Sequence, residues 1–498
     1  MRAAGGYRDR GLLKTIDWSL VICWITLILI GWANIYASIQ ASEPASIFDF
    51  SCRSGKQFIW ILTALGIAIL ILFIIPPRIY ESASLPIYGF VIMLLIAVIF
   101  LGIEVKGSRS WFGFGPVRFQ PAEVSKISTS LLLATVMSQL GYKIGRTKDF
   151  ILTAAIILVP MMIIIGQSET GSALVYVGFI FMLYREGLSG WLIALIGLAI
   201  LLFILTLTAS PFVACLVLVS IASLCICLSS GRFIWWLVIC VPLIILLAFV
   251  PSILEALTPA NEIAETGEAV IEDAGFISKI KPLYILLGLT GVAAPLVAFQ
   301  AFRERNLFTH LALLSVIGGI LLIFSVDFIF NDVLQDHQRK RIEVLLGMKE
   351  DPSGVGYNVN QSMIAIGSGG FSGKGYINGT QTTFGFVPEQ STDFIFCTIG
   401  EEWGFIGTAG VILLYVFLIW KIIKNAERSR EGFTRIYGYC VACCIFMHLF
   451  INIGMTIGIM PVIGIPLPFV SYGGSSLWGF TALLFIFIAL DRNERKYF

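Results

Sequence analysis

Residues 17–39 read DWSLVICWITLILIGWANIYASI, with a single charged side chain, Asp17, at their start. Coiled as an α-helix at about 1.5 Å per residue, the run is about 34 Å long, enough to cross a hydrocarbon core about 30 Å thick. Arg2, Arg8, Arg10 and Lys14 precede it. The apolar stretch is too long for a cleaved signal peptide and reads as a retained first span. Working outward, similar runs follow at about 57–75, 86–104, 123–141, 150–166, 171–187, 190–209, 211–229, 232–250, 283–301, 310–330, 403–424, 437–459 and 475–490, for about fourteen spans. The composition agrees, with 57% hydrophobic residues against 13% charged. The fold class expected is all-α, a polytopic helical bundle in a membrane.

The placement of basic residues orients the bundle. With the N-terminus in the cytoplasm, the inner loops hold Arg78, then Lys143, Arg146 and Lys148, then Arg185, Arg232, Arg303 and Arg305, then Lys421, Lys424, Arg428, Arg430 and Arg435, and finally Arg492, Arg495 and Lys496. Each of these loops is short and basic, as the positive-inside rule demands, and an even number of spans returns both termini to the cytoplasm. The formal charge of +2 gives no support to nucleic-acid binding. Most of the ten cysteines, among them Cys440, Cys443 and Cys444, lie in apolar runs and read as small hydrophobes. Cys52 and Cys397 have no zinc-type spacing, so neither a disulfide framework nor a metal site is indicated.

Three outer segments are long enough to hold function: 40–56, 105–122 and 331–402. A fourth, 251–282, carries Glu255, Glu262, Glu265, Glu268, Glu272 and Asp273 and reads as a solvated acidic loop. The segment of roughly seventy residues at 331–402 is far longer than ordinary connections, which marks it as functional. It contains His337, Arg339, Lys340 and Arg341, then Asp351-Pro352-Ser353-Gly354-Val355-Gly356-Tyr357, Gln361-Ser362 and Ala365-Ile366-Gly367-Ser368-Gly369-Gly370. Its basic cluster could equally be a head-group contact and its glycines simple turn residues. At the second segment, Arg109 and Arg118 lead into Glu123 and Lys126, three residues apart on one helix face. Charges carried into a membrane this way line a polar cavity or form a structural ion pair; a cavity lined by cations would hold an anionic, lipid-linked group such as a diphosphate. His310 and His448 stand alone in apolar context and read as structural.

Taken in order, these motifs resemble the SEDS family of shape, elongation, division and sporulation proteins. The resemblance rests on Arg118-Phe119-Gln120-Pro121-Ala122-Glu123-Val124-Ser125-Lys126, on Asp351-Pro352-Ser353-Gly354-Val355-Gly356-Tyr357, on the 365–370 run and on Pro468-Phe469-Val470-Ser471-Tyr472-Gly473-Gly474. Gly379-Thr380-Gln381 with Ser391-Thr392-Asp393-Phe394-Ile395-Phe396 favours the elongation branch over the division branch. It covers about 1–187 and 310–498. The family has ten spans, so 188–309 is expected to be an insertion of about four, between an N-terminal and a C-terminal part of the core. Two departures stand out. Gln167-Ser168-Glu169-Thr170-Gly171 replaces a Gln-Pro-Asp-Leu-Gly pattern, and Gly347-Met348 takes the place of the first of two Asp-Pro pairs, leaving Asp351-Pro352.

The resemblance implies a peptidoglycan glycosyltransferase of the bacterial cytoplasmic membrane that polymerises lipid II, the undecaprenyl-diphosphate-linked disaccharide-pentapeptide, with the catalytic loop on the outer face. It implies Asp351 as the catalytic carboxylate, and Arg118, Glu123, Lys126, Arg109, Arg339, Arg341, Gln361 and Ser362 as substrate-binding residues. A divalent cation, Mg²⁺ or Mn²⁺, is compatible with the diphosphate chemistry, and the partner implied is a class B penicillin-binding protein. From the residues alone, a flippase or transporter of a lipid-linked precursor, or a scaffold of the wall-building complex, also fits.

Overall fold

The computed structural model describes residues 12–40, 46–105, 108–115, 117–229, 231, 234, 236–257, 281–304, 307–333, 339, 343 and 356–495. The described residues are mostly helical, and among them eleven helices are long and apolar enough to cross a membrane. Chain contacts divide it into two compact units, Met1–Leu188 with Asp351–Phe498, and Ser189–Glu350.

In the first unit the Gly432–Thr456 and Gly474–Arg495 helices are buried over most of their length and form the centre. Trp18–Ile39, Arg53–Ile69, Ser84–Leu101 and Thr147–Gly166 pack around them, each turning an apolar face outward, as helices bathed in lipid do, while Pro121–Met137 is buried along its length. The stretch expected as one span at 171–187 is three short pieces, Thr170–Val175, Tyr176–Gly178 and Phe179–Arg185. Close approach depends on small residues: a Cβ on Gly31 would sit 2.5 Å from the Val470 carbonyl oxygen, so only glycine lets the turn before the last helix lie on the first helix.

One described segment between helices folds as strands. Residues 103–119 form a three-stranded antiparallel sheet in the order β1 (Ile103–Val105), β2 (Ser108–Phe114), β3 (Val117–Phe119). Ile103 pairs with Trp111, and Gly113 with Arg118. Alternation sets its faces, since Ser108 and Ser110 are buried while Arg109 between them is exposed.

Within 331–402, the described stretch from Gly356 onward has helices at Tyr357–Ser368 and Thr380–Thr383 and a third that starts at Ile395. That third helix runs to Arg428 but breaks at Gly404, where φ is 62°. A span beginning near 403 was expected, and the break is its physical start. The strand-like loop 370–375 supplies the bonds that the break removes: Phe405 N donates to Gly370 O and Ile406 N to Phe371 O, while Lys374 N and Gly375 N donate to the carbonyls of Glu401 and Glu402. A Cβ on Gly404 would lie 2.3 Å from the Gly373 nitrogen, so the crossing requires glycine.

The second unit packs Gly190–Thr208, Pro211–Ser229, Val241–Ala248, Pro282–Glu304 and Leu307–Phe328 around Leu202, Cys215, Leu218, Leu247, Leu286 and Ile323. Here too a glycine brings helices together, as Gly319 faces the Leu218 side chain with no room for a Cβ.

Candidate functional site

The Pro121–Met137 helix begins with proline at its first turn, where no backbone N–H is needed, and carries its charges directly afterwards. Glu123 and Lys126 are 3% and 2% exposed, and Lys126 Nζ lies 2.9 Å from Glu123 Oε2. The ammonium has two further neighbours. His448 Nε2 is 2.9 Å away, and the Phe480 ring centroid 4.6 Å. His448, 1% exposed, points its other nitrogen at the Pro466 carbonyl, 3.1 Å distant. A carbonyl only accepts, so Nδ1 carries the proton, and Nε2 is left with a lone pair to receive the Lys126 N–H. The imidazole is therefore neutral, and all three ammonium hydrogens of Lys126 have an acceptor: carboxylate, imidazole and π face. Gly479 allows the last helix to close over Glu123, since a Cβ there would come 3.2 Å from the Glu123 Cβ.

Beside this centre, Glu169 organises the β-sheet. Its carboxylate accepts from Ser110 Oγ at 3.1 Å, Gln120 Nε2 at 2.8 Å and Ser172 Oγ at 2.9 Å. Burial pushes its carboxyl above the usual range, while the Ser172 and Ser110 hydroxyls pull it back. The glutamate that departs from the family's aspartate thus ties β2 and the residue before Pro121 to the start of the Thr170–Val175 helix.

The residues around 391–393 are joined to the turn at 465–472. Asn452 donates to the carbonyls of Asp393 and Ile465 at 2.8 and 2.7 Å. Ser471 Oγ donates to Thr392 O at 2.6 Å, Tyr472 N to Ser391 O at 2.9 Å, and Arg53 Nη1 to Ser391 Oγ at 2.7 Å. Glu401, fully buried, is a second anchor. It accepts from Lys374 Nζ at 2.7 Å, from the amides of Gln381 and Thr382 at 2.8 and 2.9 Å, and from the Thr382 hydroxyl at 2.9 Å.

Of the residues singled out from sequence, Glu123 and Lys126 form the buried pair. Arg118 is exposed on β3, and Arg109 makes only a surface contact of 3.5 Å with Glu104. Ser362 is buried and donates to Thr456 O at 2.9 Å, which makes it a packing residue of its helix, and Gln361 is half-buried. In the second unit Arg339 pairs with Glu343 at 3.2 Å and stacks on Phe330. Asp351 and Arg341 lie outside the described residues. His448, read as a lone structural histidine, is instead a direct partner of Lys126; the sequence signal was Asn452 and Thr456 following it at four-residue steps on one helix face. Glu401 and Glu169 were also missed as anchors. Among the described residues no group of three or more His, Cys, Asp or Glu is arranged to hold a metal, and all ten cysteines are free thiols.

The sequence matches the FTSW_RODA_SPOVE family, described as cell cycle proteins, over residues 17–258 and 288–496. It is 29% identical over 492 residues to the peptidoglycan glycosyltransferase RodA of Treponema pallidum, covering 98% of this chain and all of the relative. It is equally 29% identical over 466 residues to the peptidoglycan glycosyltransferase MrdB of Escherichia coli K12, covering 93% of this chain and 92% of that one. The fold is similar to that of the rod shape determining protein RodA of Thermus thermophilus, with a TM-score of 0.51 at 19% identity, covering 96% and 97% of the two chains. It is also similar to a chain from a peptidoglycan synthase complex described for the coordination of polymerization and crosslinking, with a TM-score of 0.57 at 21% identity, over 96% and 98%. With most of its length matched, this chain belongs to the FtsW, RodA and SpoVE family of cell cycle proteins.

Proposed function

We propose that this protein is a peptidoglycan glycosyltransferase that polymerises lipid II into glycan strands during cell-wall elongation. The observation that carries the reading is the near-full-length similarity to relatives named for that activity, and Lys126, held at a fixed point in the helix bundle by Glu123 and His448, gives the site a preset charge. A cation fixed before the reaction costs no reorganisation when diphosphate charge develops on the leaving group.

In the reaction, the C4 hydroxyl of the acceptor sugar attacks the anomeric carbon of the growing strand, and its bond to the diphosphate-lipid breaks. Asp351 takes up the hydroxyl proton, and Lys126, with Arg118, offsets the negative charge of the departing diphosphate. A divalent cation, Mg²⁺ or Mn²⁺, would add positive charge there, and among the described residues no group of three or more His, Cys, Asp or Glu is arranged to hold one. The topology proposed has about fourteen spans with both termini in the cytoplasm and 331–402 outside, in the bacterial cytoplasmic membrane, and the eleven long apolar helices support a polytopic bundle of this kind. The partner is a class B penicillin-binding protein, which would crosslink the strands made.

The test is polymerisation of lipid II by purified protein, alone and with such a partner, followed as glycan length on gels. Glycan polymer is the expected product. Movement of intact lipid II across vesicles without any polymer would identify a flippase and overturn the proposal.

A further inference from the structure

Where the chain ends of the first unit meet, Asp17 joins three helices. Its carboxylate accepts from Asn425 at 2.9 Å and Arg495 at 2.7 Å, with Lys421 at 3.3 Å. Next to this junction a pocket of about 370 Å³ is lined by four cations, Lys14, Arg428, Arg430 and Arg495, and by two carboxylates, Asp491 and Glu494. The carboxylates are engaged within the protein. Asp491 is gripped by Arg428 at 2.9 Å and Arg495 at 2.8 Å, and Glu494 accepts from the Ser429 hydroxyl and, at 3.1 Å, from the Arg430 amide. They orient the wall of the pocket, whose four cations outnumber its two carboxylates, and the Lys14 and Arg430 side chains are exposed there.

Two apolar tracks run into this pocket. Phe417, Trp420, Lys424 and Arg428 follow one another at three- and four-residue steps, so they form one face of the Ile395–Arg428 helix, and that face ends at the pocket. Phe417 and Trp420 are 40% and 51% exposed, and the Lys424 ammonium sits 4.8 Å from the Trp420 ring. On the other side, Trp18 and Ile22, 50% and 60% exposed, begin the outward face of the first helix directly after Lys14 and Thr15. Exposed tryptophans where an apolar helix face gives way to charge mark the depth of lipid head groups.

We propose that this pocket binds the phosphate of an anionic phosphoglyceride, whose acyl chains lie along the Phe417–Trp420 and Trp18–Ile22 faces. Charge complementarity selects a negative head group, and the tracks select a ligand with hydrocarbon attached. A soluble phosphate would use the cations but neither track.

The experiment follows thermal unfolding of the full-length, delipidated protein in detergent with phosphatidylglycerol, phosphatidylcholine or glycerol 3-phosphate added. Preferential binding to the native state raises Tm. Phosphatidylglycerol is expected to raise it by several degrees more than phosphatidylcholine, and glycerol 3-phosphate to leave it unchanged. The variant carrying K14Q and R430Q, two exposed side chains outside the Asp17 junction, loses the phosphatidylglycerol increment and keeps the phosphatidylcholine response. Equal effects of the two lipids, an unchanged increment in the variant, or a full increment from glycerol 3-phosphate would each overturn the proposal. Native mass spectrometry of the unmodified chain provides a measure independent of the variant: phosphatidylglycerol retained in preference to phosphatidylcholine supports the site, and no preference refutes it.

Discussion

Lys126 and His448 are 322 residues apart in the chain and 2.9 Å apart in the fold, and the imidazole that receives the lysine proton is itself fixed by the carbonyl of Pro466. The contact links the helix after the β-sheet to the proline-rich outer turn through two buried side chains. His448 does not need to touch substrate to matter, since it sets where the ammonium stands. Glutamine can reproduce both of its bonds, accepting from Lys126 through Oε1 and donating to Pro466 through Nε2, whereas leucine can make neither. H448Q is expected to polymerise lipid II within a few-fold of the parent, and H448L to lose up to roughly 10²-fold in kcat through a misplaced cation. A merely space-filling role predicts the reverse ranking in a steady-state assay, because leucine packs well in an apolar wall.

Glu123 and Lys126 allow stability and activity to be separated. Removing one member of a buried pair leaves an uncompensated charge and costs about 3–5 kcal/mol, whereas replacing both by neutral side chains of similar size is nearly neutral. K126M should therefore unfold at a lower temperature than the parent, and the double variant of E123Q with K126M should recover most of the loss. If the pair holds a cation toward diphosphate, the double variant remains inactive although it is stable. Recovery of polymerisation together with Tm would reduce the pair to a structural role.

The Glu401 carboxylate gathers two backbone amides, a hydroxyl and the Lys374 ammonium at the turn that begins the Thr380–Thr383 helix. Glutamine keeps one acceptor oxygen and brings an N–H₂ group against donors, so E401Q orphans several of them at about 1–3 kcal/mol each. The expected result is faster hydrogen exchange over 370–383 with the long helices unchanged. Uniform exchange across the whole chain would mean that the anchor is global rather than local.

Much of this bundle was readable from hydropathy, because in lipid every backbone polar group must be satisfied within its own segment and long apolar runs have one solution. Trp18–Ile39, Pro211–Ser229 and Gly474–Arg495 start or stop within a few residues of the expected positions, with the exception of the last helix, which continues to Arg495 on charged side chains. Segments that leave lipid were less legible. The 103–119 sheet consists of strands three and seven residues long, and its alternation of buried Ser108 and Ser110 about Arg109 is too brief to stand out. The Glu123 and Lys126 pair could be read because three residues separate its members on a helix. The contacts of Lys126 with His448, of Glu169 with Ser110 and of Asp17 with Arg495 join distant stretches, and no local period announces them.

Acid should loosen the junction of the chain ends. Burial raises the proton affinity of Asp17, but hydrogen bonds from Ser19, Asn425 and Arg495 outweigh it and hold the carboxyl well below the ordinary range. A depressed folded-state value means that the ionised form stabilises the fold; the contribution is complete above the unfolded value of about 3.9 and is lost as pH falls below it toward the folded value. D17N should lower Tm at neutral pH, and the gap between variant and parent should narrow as pH drops below about 4. A gap that stays constant from neutral pH into that acid range would show that Asp17 acts through packing and not through charge.

Asp351 completes the proposed reaction, and it lies at the boundary of the first unit, five residues before the described backbone resumes at Gly356. The helix that follows, Tyr357–Ser368, is tied to the buried core through Ser362 and the Thr456 carbonyl at 2.9 Å, which anchors the chain eleven residues after Asp351. An Asp before proline also caps turns, and that role needs only the carboxylate oxygen to accept a hydrogen bond, which asparagine does as well. Proton uptake from the acceptor hydroxyl is different, since an amide has no basic oxygen. Loss of a general base lowers rates by about 10²- to 10⁴-fold, so D351N should fold with the parent's Tm, co-purify with its partner and make almost no glycan polymer. D351N polymerising lipid II within a few-fold of the parent would place the base elsewhere and leave Asp351 as a turn cap.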